Sequence, residues 1–183
     1  MLFHQRMPNL KPAIFDLKSN AMRQIAKIAV AVFLLLTTVA AQIPFNPKLY
    51  DPKADAKAEI AKAIKQAARG HKRVLLVFGG NWCPDCHVLD YRFHQEPAKS
   101  LVEQNFLVVH VDIGEGEGKY AKNTDLADKY RIPLKRGVPA IAVLSESGQL
   151  LYSQQNGEFE AQRRLDPQEI VRFLEQWKPQ RSS

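Results

Sequence analysis

Val74-Leu75-Leu76-Val77-Phe78-Gly79-Gly80-Asn81-Trp82-Cys83-Pro84-Asp85-Cys86 is the stretch from which the rest of this chain can be read. Its first five residues are apolar without a break, the pattern of a strand buried on both faces. Two glycines stop the run, and the only two cysteines of the 183 residues follow. Proline at position 84 suits a first helical turn, so Cys83 is predicted at a helix start. There the unpaired backbone N–H groups and the positive end of the helix dipole are aimed at its sulfur. A thiol so placed ionises more readily, and the thiolate is the nucleophile of disulfide exchange, provided solvent reaches it. Cys86 lies one turn on, more buried and within reach. The pair reads as a reversible dithiol, with Cys83 as nucleophile and Cys86 resolving the mixed disulfide.

On either side the chain alternates helix and strand signals. Asp51-Pro52 is predicted to cap a helix that carries Ile60, Ile64, Ala67 and Ala68 at helical spacing and stops at Gly70. Beyond the cysteines, Val88, Leu89 and Phe93 extend a helix toward Pro97, and a short helix follows to Gln104. Phe106 to Val111 is a second buried strand, with Asp112 capping the loop after it. Gly114 to Gly118 is a loop whose two glutamates speak against a phosphate cradle. Thr124 to Tyr130 is a short helix. Ala140–Leu144 and Leu150–Ser153 flank a turn at Glu146-Ser147-Gly148-Gln149, and Asp166-Pro167 caps a last helix. The order predicts an α/β sandwich of three layers with a central mixed sheet flanked by helices.

The N-terminal part is read separately. Ile28 to Ala41 is apolar, Arg23 and Lys27 precede it, and Val39-Ala40-Ala41 offers a small-residue cleavage site. Together these predict a signal peptide cleaved after Ala41, with an uncleaved inner-membrane anchor as the alternative. Met22 is an alternative start. The expected organisation is an extension and signal over 1–41, an extended lead-in over 42–50, the folded domain over 51–178 and a disordered tail over 179–183. Localisation is then periplasmic or secreted, with the membrane involved only through an uncleaved N-terminal segment.

The formal charge of +7 falls to +3 without the first 41 residues, and the remaining charges are interspersed. With no basic block or aromatic-interleaved stripe, no nucleic-acid partner is indicated.

Three other readings compete for the cysteines. Cys83-Pro84-Asp85-Cys86-His87 is also the C-x-x-C-H pattern of haem attachment. However, no methionine follows Met22 to serve as an axial ligand, and His71, His94 and His110 are the substitutes. A structural zinc needs four ligands, and no second closely spaced pair exists. A permanent structural disulfide is common in secreted proteins, but so short a loop stabilises weakly. The expectation is therefore neither cofactor nor metal. Protein thiols and disulfides are the expected partners, with a soluble or membrane redox partner of unknown identity.

Phe78 to Cys86, together with Gly137-Val138-Pro139-Ala140, resembles the thioredoxin superfamily, in particular its secreted thioredoxin-like oxidoreductases, over about Asp51 to Trp177. The resemblance implies a thiol–disulfide oxidoreductase. It also implies that Pro139 is cis and lies against the cysteines, with Val138 pairing to an extended substrate peptide. Trp82 is expected to pack as a substrate-facing lid. The same chain can instead be a non-catalytic peptide-binding or chaperone module. Two departures set it apart from cytosolic thioredoxins: the buried acid of that family falls at Val77, and its partner lysine at Val108. The segment between Tyr130 and Pro139 is also longer, and offers Lys135-Arg136 as a determinant of substrate choice.

Pro84, Asp85 and His87 are the expected tuners of redox poise. A carboxylate at Asp85 raises the Cys83 pKa, and an exposed, cationic His87 opposes it. The balance predicts a moderately reducing couple. His71 and His94 are expected at the surface and His110 partly buried on its strand.

Overall fold

The structure is a computed structural model and describes residues 22–25, 27, 45–116 and 119–180. The chain divides into two compact units, Met1–Gln42 and Ile43–Ser183. In the first, Met22 to Ile25 and Lys27 are helical and exposed. The predicted signal segment, Ile28 to Ala41, lies outside the described residues. Among the described residues no helix is long and apolar enough to cross a membrane.

The second unit runs α1 (Ala56–Gly70), β1 (Arg73–Gly79), α2 (Pro84–Phe93), α3 (Ala98–Asn105), β2 (Phe106–Asp112) and α4 (Thr124–Lys129). After these come a 3-10 turn (Leu134–Arg136), β3 (Ala140–Leu144), β4 (Leu150–Ser153) and α5 (Pro167–Trp177). The strands form one mixed sheet in the order β2-β1-β3-β4, parallel between β1 and β2 and antiparallel elsewhere. Side-chain alternation along β1 and β3 divides the core in two. Val74, Leu76, Phe78, Ala142 and Leu144 pack with α1 and α4. Leu75, Val77, Ile141 and Val143 pack with α2, α3 and α5. That is the three-layer sandwich expected from the sequence.

Helix starts follow their caps. Asp166 accepts the Gln168 N–H at 3.0 Å ahead of Pro167, as predicted. The start of α1 differs: Asp55, not Asp51, caps it, accepting the Ala58 N–H at 3.1 Å. Asp51 instead closes a local turn, accepting Lys53 N–H on its side chain at 2.9 Å and Ala54 N–H on its carbonyl at 3.2 Å. An aspartate can satisfy either motif, and the side-chain turn competes with the helix for the same backbone.

The residues before that turn do more than lead in, because Tyr50 is 1% exposed within the core beneath β1. Val77, also 1% exposed, lies in the apolar layer against α2 and α5. Its register partner on β2 is His110, whereas Val108 stands opposite Leu75. The position beside Val77 is therefore a histidine, contrary to the assignment of Val108 from the sequence.

Candidate functional site

Strand β1 delivers the cysteines to the edge of the core. After Gly79 the chain turns, Cys83 N–H donating to the Gly80 carbonyl at 3.0 Å. Cys83 then becomes the N-cap of α2 in extended conformation, and its Sγ accepts the Cys86 N–H at 3.2 Å. Cys83 and Cys86 are joined by a disulfide, with their Cα atoms 5.3 Å apart. A helix-start amide directed at Cys83 Sγ stabilises negative charge on that sulfur once it is reduced. Both cysteines are buried, at 3% and 1% exposure. Cys83 lines one wall of a cleft of about 1100 Å³, which also takes in Trp82, Pro84, Tyr120, Gly137 and Glu160.

Opposite the disulfide, the Val138–Pro139 peptide bond is cis, as the resemblance implies; Glu96–Pro97 is also cis, which no feature of the sequence announces. The Val138 carbonyl oxygen lies 3.6 Å from Cys83 Sγ. This is a contact and not a hydrogen bond, since a disulfide sulfur carries no hydrogen. Gly137 precedes the pair at φ 106°, and a Cβ there would meet Glu160 Oε2 at 2.6 Å. Only glycine combines that conformation with that clearance. Buried Gln154 braces the same loop, its Oε1 accepting Ile141 N–H at 3.2 Å and its Nε2 reaching the Pro139 carbonyl at 3.5 Å.

The predicted tuning residues behave differently from expectation. Asp85 does not present a free charge to Cys83. Arg163 holds it, through its backbone N–H at 2.9 Å and its guanidinium at 3.1 to 3.3 Å. His87 is not exposed but 4% exposed, that is, buried. Its Nε2–H donates to the Asn81 carbonyl at 2.9 Å, and Phe45 lies against the ring at a centroid distance of 4.3 Å. Pro84 occupies the first helical position as expected. Trp82 is half-buried, donating Nε1–H to the Gly114 carbonyl at 2.6 Å and stacking on Tyr120. His71 and His94 are exposed and His110 half-buried, as read from the sequence.

The cleft rim is basic: Lys135, Arg136, Arg163 and Arg164 against Asp85 and Glu160. The C-x-x-C-H reading finds no support, because the His87 nitrogen that would meet iron is bonded to Asn81. Among the described residues no three His, Cys, Asp or Glu side chains cluster as metal ligands.

Four contributors escaped the sequence: Tyr50, Asn81, Gln154 and Arg163. Asn81 lies inside the opening stretch, yet its role is to bond the Tyr50 backbone in both directions, at 2.9 and 2.7 Å. Gln154 and Arg163 come from the C-terminal third, where no local pattern signals their partners.

This geometry defines a thioredoxin-like fold with a helix-start C-x-x-C pair facing a cis-proline loop. The Thioredoxin-like family model matches residues 55–145. The chain is similar to the structure of a disulphide isomerase from Xylella fastidiosa, with 34% identity over 70% of this chain and 95% of that one, at a TM-score of 0.64. The chain belongs to the thioredoxin-like family. Looser likenesses include a thioredoxin from Thermus thermophilus, at 22% identity, covering 63% of this chain and 81% of that one, with a TM-score of 0.44. Another is the C-terminal domain of DsbD from Neisseria meningitidis, at 18% identity, covering 66% and 94%, with a TM-score of 0.45. No curated protein sequence matches the chain.

Proposed function

We propose that this protein is a thiol–disulfide oxidoreductase that exchanges its Cys83–Cys86 dithiol or disulfide with protein substrates outside the cytoplasm, in the periplasm or as a secreted protein. The observation that carries the reading is a disulfide whose outer sulfur caps a helix and faces the Val138 carbonyl across a cleft. Cys83 is the nucleophile and Cys86 the resolver. Val138 and Pro139 form the platform along which substrate backbone lies, and Trp82 covers one end. In the reducing direction a Cys83 thiolate attacks a substrate disulfide, forming a mixed disulfide and releasing one substrate thiolate. Cys86 then displaces the second, so two electrons and two protons pass from the protein to the substrate. The 34% identical relative described as a disulphide isomerase supports the reaction class. The apolar segment at 28–41 supports the compartment.

Insulin reduction by the wild type and by Cys83→Ser tests the proposal. Activity is expected to disappear in the variant, and Cys86→Ala is expected to accumulate a mixed disulfide from which the natural partner can be identified. Activity unchanged in Cys83→Ser would leave only peptide binding.

A further inference from the structure

The buried resolving cysteine packs in the same apolar layer as Tyr50 and Phe78, whereas Val77, where cytosolic thioredoxins keep a buried acid, lies in the other layer. A thiolate in apolar surroundings is disfavoured unless a donor meets it. One donor stands nearby. Tyr50 Oη is buried and, among the described residues, has no hydrogen-bond partner. A Cβ on Gly79 would stand 2.5 Å from Tyr50 Oη and 2.6 Å from Cys86 Sγ. Hydroxyl and sulfur therefore flank the same small gap, open because residue 79 has no side chain. The tyrosine is also held there: Asn81, two residues before Cys83, accepts its N–H and donates to its carbonyl.

We propose that Tyr50 is a further catalytic residue of the exchange reaction, donating its hydroxyl hydrogen to the Cys86 sulfur in the reduced protein, most strongly when that sulfur is a thiolate. The inference rests on the exchange reading above. In the resolving step the Cys86 thiolate attacks Cys83 Sγ of a mixed disulfide. The Cys83–Cys86 bond forms, the bond from Cys83 to the substrate sulfur breaks, and the electron pair leaves on the substrate thiolate, which takes a proton from water. Tyr50 keeps its own proton throughout. Burial, with Asp90 and Asp112 nearby, pushes its pKa well above the ordinary tyrosine value, so the phenol is a donor and not a base. His110, edge-on to the Tyr50 ring at 5.2 Å and with Nε2 3.5 Å from Asp90, completes the polar surroundings.

A hydrogen bond present in the reduced state and absent from the disulfide state favours the reduced protein. Removing it makes the couple more reducing. Equilibrating wild type and Tyr50→Phe with glutathione buffers reads this directly. The variant is expected to shift roughly tenfold toward the disulfide, about 30 mV for a two-electron couple. Thermal stability of its oxidised form is expected to be unchanged or higher, since the lost hydroxyl was unpaired. Asn81→Ala, which releases the Tyr50 backbone, is expected to move the constant in the same direction by less. A constant for Tyr50→Phe within about twofold of wild type, or moved the other way, overturns the role. So does a loss of stability in both redox forms with the constant unmoved. A wild-type pair that never equilibrates with glutathione instead refutes the exchange reading itself.

Discussion

The ion pair between Asp85 and Arg163 alters the meaning of the dipeptide between the cysteines. Read alone, Asp85 is a negative charge beside Cys83 and opposes thiolate formation. Its oxygens are instead occupied by the Arg163 guanidinium and backbone N–H. The pair is partly solvated, Arg163 being exposed, so its worth to folding is small. Its consequence is expected at the neighbouring sulfur, because it neutralises a charge two residues along the chain from Cys83. Arg163→Ala is expected to raise the Cys83 pKa, visible as an upward shift in the pH profile of alkylation of the reduced protein. An unshifted profile would mean Asp85 lies too far from Sγ, or is too well hydrated, to matter. His87 makes the complementary point: its adjacency to Cys86 suggested an exposed ring, but the ring is buried, and Phe45, distant in sequence, covers it.

At the scale of elements, the site is made where three segments meet. Helix α2 supplies the amide at Cys83 Sγ, the Gly137–Pro139 loop faces it, and the 3-10 turn Leu134–Arg136 sets charge on the rim. Lys135 and Arg136 are exposed and make no ion pair among the described residues. They are therefore expected to favour substrates that carry acidic residues beside the disulfide, acting mainly on encounter rate. Lys135→Glu combined with Arg136→Glu is expected to lower kcat/KM for an acidic peptide disulfide roughly tenfold at low salt. The difference should shrink in high salt, and the maximal rate should be little changed. Equal rates for acidic and basic peptides in the wild type would show that the rim does not select.

For the whole molecule, the two apolar layers set the alkaline limit of stability. Tyr152 packs against Phe173 and Trp177 beneath α5, and partial burial with Glu158 nearby pushes its pKa from 10.0 to about 12. Tyr50, on the other side of the sheet, is also raised. A neutral phenol is thus favoured by the fold, so above the unfolded value near 10 the unfolded chain binds fewer protons than the native one. Stability is full below that pH and falls as pH climbs through about 12. Denaturant titrations between these limits are expected to show that decline, and Tyr152→Phe to flatten part of it. A Tyr152→Phe curve parallel to wild type would remove Tyr152 from the account.

Local chemistry is what the sequence could determine. The run Val74–Phe78, the glycines after it, the cysteine spacing, the hairpin turn and the Asp166-Pro167 cap each act within a few residues, and the sandwich follows from their order. Pro139 was recognisable as well, through the Val-Pro motif. Tertiary structure alone decided which polar group meets which. Asp51 and Asp55 are equally good caps until packing chooses between them. His110 stands beside Val77 only through strand register. Gln154 reaches the proline loop, and Arg163 reaches Asp85, across 78 residues. The opening stretch placed two sulfurs together; the Tyr50 hydroxyl at the gap over Gly79 comes from another part of the chain. Hydrophobic periodicity and turn residues are written along the chain, whereas burial and hydrogen-bond partnership exist only after distant segments have closed on one another.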